Sequence, residues 1–189
     1  MDFRELDRQA MKVTGEVIGY VRPAQLALPT PCADWTLHGL MRHLVSEDTA
    51  FAAATTAADQ SQVDWNVGRL GADPVVDYDR AAAAYLAAFQ PDTVLNRRMR
   101  IGVFGEVPGS VAVSMHLIDT VVHGWDVAKT IGVAYAPDEQ MVGAALEIMR
   151  RFPVQRPSVA FGVSVDVPPD ASVLDKLVAY LGRRPDWTA

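Results

Sequence analysis

The sequence predicts a mainly α fold: a four-helix bundle with a short hairpin and a small C-terminal α/β cap. Three observations carry that expectation. Apolar residues recur at three- and four-residue steps through several segments, the signature of helices with one buried face. One segment, 109–131, is apolar almost all round, which suits a helix buried on most sides. Prolines fall between these segments, where a missing N–H does least harm.

The first helix is expected over Asp2–Val21, with Leu6, Ala10, Val13 and Val17 on one face and Pro23 beyond its end. After a loop rich in punctuation, Leu28 to Trp35, Thr36 is suited to cap a second helix running to about Ala58, with Leu37, Leu40, Met41, Leu44 and Phe51 inward. Residues 60–74 read as a loop. A third helix, Tyr78–Phe89, is carried by the alanine run 81–84 and closed by Pro91. Loose alternation between Leu95 and Val107, interrupted by Gly102 and Gly105, predicts a short strand or hairpin. The long fourth helix should run from about Gly109 to Ile131, with Gly132 to end it. A fifth, Pro137–Arg151, opens on a proline and two acids and is followed by Pro153 and Pro157. Phe161–Val167 alternates like a strand that would pair with Leu95–Val103. Ser172 and Asp175 then open a last helix ended by Gly182. The expected division is a metal-binding bundle over 1–157, fifth helix included, and a strand and helix over 158–189 packed on it.

Half of the 189 residues are hydrophobic, enough for one full core. A formal charge of −6 without a basic stripe argues against a nucleic-acid partner. Arg97-Arg98, Arg150-Arg151 and Arg183-Arg184 read as solvated rims. With charges through the first 20 residues no signal peptide is expected, no stretch is long and apolar enough for a membrane span, and a single cysteine, Cys32, fits a reducing cytoplasm. Cys32 reads as an inert loop thiol and His38 as solvent-facing. The chain is expected to be a monomer or homodimer that takes a small-molecule substrate.

The chemistry concentrates on the fourth helix. His116, Asp119 and His123 share one face, Asp119 and His123 being separated by about 40° at about 100° per residue. An i, i+4 carboxylate and imidazole offer two ligands to one metal, and His43 is the candidate third. Two imidazoles and a carboxylate suit zinc, nickel, manganese or ferrous iron and leave positions open for substrate. A metal so held would activate a bound water or thiol. His116 can serve as a fourth ligand, a donor behind the ligands or a proton shuttle, and the middle role is preferred. Asp126 either orients a ligand imidazole or pairs with Lys129. Glu47, four residues after His43, is expected in solvent rather than on that imidazole.

The run Thr30-Pro-Cys-Ala-Asp-Trp-Thr, then His43, then His116-Leu-Ile-Asp-Thr-Val-Val-His-Gly-Trp-Asp-Val-Ala, then Leu181-Gly-Arg-Arg-Pro-Asp-Trp resembles the actinobacterial branch of the DinB/YfiT-like superfamily. Within it, the chain resembles the metal-binding domain of mycothiol-dependent maleylpyruvate isomerases. The resemblance implies an up-down-down-up bundle with a divalent metal, zinc favoured, and matches its ligands to His43, Asp119 and His123. It also implies a low-molecular-weight thiol such as mycothiol as cosubstrate. Two departures bear on the reaction. Those isomerases carry Glu where Asp119 stands, one methylene longer, and a further C-terminal domain for which the stretch after Pro157 is too short. The expectation is therefore a thiol-dependent transferase or isomerase acting on a small electrophile. A metal-dependent hydrolase and a non-catalytic small-molecule-binding bundle are the alternatives.

Overall fold

A computed structural model of the chain describes residues 2–32, 35–152, 156–158 and 161–188. The expected breaker Pro153, and Ala33 and Asp34 of the punctuated loop, lie outside them. Among the described residues the chain forms α1 (Arg4–Ile18), α2 (Leu37–Ala54), α3 (Pro74–Ala88), β1 (Arg98–Ile101), β2 (Gly105–Pro108), α4 (Gly109–Ile131), α5 (Glu139–Arg151) and α6 (Val173–Tyr180). None of these helices is long and apolar enough to cross a membrane.

The first four helices make the bundle, α1 lying chiefly on α4 and α2 on α3. Their directions follow from side-chain pairings. Asp7 and Thr14 on α1 meet His116 and Thr120 on α4 in the same order, so these two helices run together. His43 and Asp48 on α2 meet Asp119 and His116 in reverse order. Arg4 reaches the Phe89 and Gln90 carbonyls at the end of α3, while Asp7 meets Tyr85 one turn earlier. The result is the up-down-down-up order.

Local chemistry sets the element ends. Thr36 caps α2 by accepting from the Gly39 N–H. That helix stops at Ala54 rather than near Ala58, because Thr55 bonds back to the Ala52 carbonyl and the Gln60 amide takes the Ala54 and Ala57 carbonyls. α3 begins four residues before the expected Tyr78, since Asp73 caps it, accepting from the Val75 and Val76 N–H groups, and Pro74 occupies the first helical position. Pro137 lies outside α5, whose cap is Asp138, accepting from Gln140. Ser172 caps α6 through the Asp175 N–H.

The hairpin forms where expected. β1 and β2 pair antiparallel, Arg98 opposite Pro108 and Ile101 opposite Gly105, and the period-2 alternation turns Met99 and Ile101 into the core. The strand expected over Phe161–Val167 does not form. The Arg100 N–H of β1 donates to the Gln60 side-chain carbonyl, and the Val165 N–H donates to the Ala179 carbonyl at the end of α6. The hairpin delivers the chain directly into α4, the most buried helix, which ends as expected at Gly132 in a left-handed conformation (φ 72°). Within α4, Gly124 is required by close approach: a Cβ there would sit 2.3 Å from Thr14 Oγ1 and 2.7 Å from the Tyr135 hydroxyl. α5 and α6 cover the other side of α4, where Leu177 and Leu181 join Leu117, Ile118, Val121 and Val122 in one apolar cluster.

Candidate metal centre

α2 and α4 face each other so that His43 meets Asp119 and His123. His43 Nε2 lies 3.3 Å from Asp119 Oδ1, and His123 Nε2 lies 3.4 Å from the same oxygen. One donor atom from each residue falls within 4.8 Å of the other two, the one such group among the described residues. Four ligands at about 2.1 Å around a tetrahedral ion are about 3.4 Å apart, so two of the three donor separations already match a zinc-sized sphere. The donor types fit as well, being two imidazole nitrogens and one carboxylate oxygen.

The ring orientations have identifiable causes. His123 Nδ1 lies 2.9 Å from Asp126 Oδ2, and since a carboxylate only accepts, the proton sits on Nδ1. That leaves Nε2 facing the shared point, the arrangement by which a carboxylate fixes a metal-binding imidazole. Asp126 is fully buried and is itself held by Arg183, whose Nη2 donates to Oδ2 at 3.1 Å while Nη1 donates to the Leu181 carbonyl. The half-buried Trp35 ring lies over both imidazoles, 4.6 Å from His43 and 5.8 Å from His123 between centroids.

Charges at the site are strongly coupled. Burial opposes ionisation of His123, but the Asp119 and Asp126 carboxylates outweigh it and push the imidazole up to about 9. Burial likewise opposes the Asp119 charge, and His123 and His43 overcome it, holding that carboxyl well below its usual range. Burial first, and then Asp119, push Glu47 up to about 8. A concentration of acids around two imidazoles is an environment that a dication would neutralise.

The three sequence-predicted ligands therefore come together, while several neighbours depart from expectation. Glu47 is not in solvent: its side chain is 18% exposed and its Oε1 lies 3.8 Å from His43 Nδ1. His116 faces no ligand, because both its nitrogens are taken by the carboxylates of Asp7 and Asp48. Asp126 orients His123 and does not pair with Lys129, whose ammonium donates to the Pro185 carbonyl. The Arg183-Arg184 pair, expected as a solvated rim, divides: Arg184 is exposed beside Asp186, but Arg183 is buried behind the site. His38 is exposed, as expected. Nothing in the spacing of Arg183 marks it. Besides the Leu181-Gly-Arg-Arg-Pro-Asp-Trp run that carries the resemblance, a local signal is Gly182, whose positive φ (87°) and close packing on Gly162 turn the chain inward there.

The family described as mycothiol maleylpyruvate isomerase N-terminal domain matches residues 8–128, a span that holds His43, Asp119 and His123. Two uncharacterized proteins of Mycobacterium tuberculosis, from strains CDC 1551 / Oshkosh and ATCC 25618 / H37Rv, are each 27% identical over 188 residues, covering 97% of this chain and 98% of their own lengths. Crystal structures of the mycothiol-dependent maleylpyruvate isomerase and of a point mutant share the fold, each with a TM-score of 0.61 at 16% identity, over 77% of this chain and 68% of that one.

Proposed function

Since the chain belongs to the family of mycothiol maleylpyruvate isomerase N-terminal domains, we propose that it is a divalent-metal-dependent enzyme that delivers a mycothiol-type thiol to a small electrophile, by transfer or isomerisation. The observation that carries this reading is the convergence of His43, Asp119 and His123 on one point, a set of three protein donors among the described residues. Structural zinc sites are usually closed by four, so three leave room for an exogenous ligand.

A divalent ion bound there supplies a Lewis acid that lowers the pKa of a coordinated thiol, making thiolate available near neutral pH. The remaining roles belong to the chain. Asp126 keeps the His123 proton on Nδ1, and Arg183 keeps Asp126 in place. Trp35 shields one side of the two imidazoles. Asp119, with 27% of its side chain exposed, marks the side from which a small molecule reaches the donors.

Elemental analysis of untagged protein, wild type against His123→Ala, tests the reading. About one divalent ion per chain in the wild type, and none in the variant, is expected for a three-residue site. Turnover of activated electrophiles should then require both metal and mycothiol. Turnover without thiol would replace the thiol by metal-activated water. A wild-type protein that holds no metal after reconstitution would remove the reading altogether.

A further inference from the structure

A buried network takes one residue from each bundle helix: Asp7 on α1, Asp48 on α2, Tyr85 on α3 and His116 on α4. His116 Nδ1 donates to Asp7 Oδ1 and Nε2 to Asp48 Oδ1, both at 2.8 Å, and no side chain of the three is more than 4% exposed. With Asp7 and Asp48 ionised, each carboxylate only accepts, so both ring nitrogens donate and the ring is an imidazolium. The Tyr85 hydroxyl donates to Asp7 Oδ2 at 2.5 Å, its ring stacks on the imidazole at 3.7 Å, and the Phe51 ring meets the imidazole edge-on at 5.2 Å.

A buried ionic network is a poor way to gain stability, since desolvation offsets most of the attraction and apolar replacements often do as well. What it does specify is geometry. Asp48 lies five residues after His43 on α2, and His116 three residues before Asp119 on α4. The two helices are antiparallel, so the His116–Asp48 bond crosses between them about one turn from the His43–Asp119 pair. Two crossings fix both separation and axial register. Asp48 Oδ2 has no hydrogen-bond partner among the described residues, so the buried carboxylate is held through Oδ1 by His116 alone.

We propose that His116, clamped between Asp7 and Asp48, is a positioning residue of the metal centre: it sets the register of α2 against α4 that brings His43 to Asp119 and His123. The inference rests on the metal-binding reading above. It goes beyond that reading by assigning a role to a histidine that touches none of the ligands.

Cobalt(II) titration of the full chain, followed by visible absorption, tests it. The variants are Asp48→Asn, His116→Gln and, as a control truncation in the α5 core, Met149→Ala. Asp48→Asn and His116→Gln should stay helical, bind cobalt about tenfold or more weakly, and show an altered band pattern. Met149→Ala should keep wild-type affinity and bands despite a lowered melting temperature. Wild-type affinity and spectrum in folded Asp48→Asn would overturn the proposal, and this variant alone decides if His116→Gln does not fold. Equal weakening in Met149→Ala would also overturn it, by showing that any core damage suffices. A wild type that takes up no cobalt would sink the metal reading itself and this inference with it, an outcome separate from the variant comparison.

Discussion

Asp126 is fully buried and accepts from two partners, the His123 ring and the Arg183 guanidinium. Asp126→Asn keeps the shape and removes the charge, leaving a buried guanidinium uncompensated. The expected costs are about 3–5 kcal/mol of stability and roughly 10- to 100-fold in zinc affinity. Calorimetry and a competitive zinc titration check them, and unchanged affinity would mean that other contacts orient His123. Gly124, next in the chain, carries a steric prediction. Gly124→Ala places a methyl on Thr14 Oγ1 and the Tyr135 hydroxyl, so those side chains must shift and give up their mutual contact, at about 1–3 kcal/mol by urea denaturation. At this scale the candidate ligands on α4 are legible because helical spacing alone puts Asp119 and His123 on one face. Arg183, Glu47 and the partners of His116 are not. A buried charge and a solvated one are written with the same letter, and only tertiary packing separates them.

His116 also makes a prediction that belongs to the helices it joins. Burial works against its charge, but Asp7 from α1 and Asp48 from α2 overcome it and push the imidazole up to about 10 from an ordinary 6.5. Tyr85 faces it from α3 and Thr120 from its own helix. The folded state keeps a proton that the unfolded chain releases above pH 6.5. The stabilisation from His116 is therefore complete below 6.5 and is lost as pH rises through about 10. Melting temperature should fall across that window more steeply in the wild type than in His116→Gln, and parallel slopes would show that the imidazole is not charged in the fold. Element boundaries followed the same division between local and tertiary information. The Asp73-Pro74 cap of α3 is local chemistry that the alanine run masked in the sequence, and Asp73→Ala should cost about 1 kcal/mol on thermal melting. The alternation of Val163, Val165 and Val167 has the period of a strand, but period does not supply a partner: the Val165 N–H goes to the end of α6, and the Arg100 N–H of β1 donates to the Gln60 side chain.

For the whole molecule the question is whether the metal site and the C-terminal segment unfold with the bundle or apart from it. The division at residue 157 is a proposal about chain order, whereas the packing argues for one cooperative unit. Leu177 and Leu181 of the last segment lie in the same cluster as Leu117 and Val121 of α4, and Arg183 supports the carboxylate that orients His123. A ligand that bridges α2 and α4 binds only when those helices are in register, so its binding energy is added to global stability. At free zinc one hundred times the dissociation constant, that addition is about 2.7 kcal/mol. For a domain of this size it corresponds to a rise of about 5–10 °C in melting temperature. Helix loss by circular dichroism and tryptophan emission should shift together, as one transition, because Trp35 sits on the His43 ring, Trp125 on α4 and Trp187 in the C-terminal segment. The shift should vanish with chelator and in His123→Ala. Two separate transitions, only one of them moved by zinc, would instead make the C-terminal segment an independent unit and remove Arg183 from the machinery of the site.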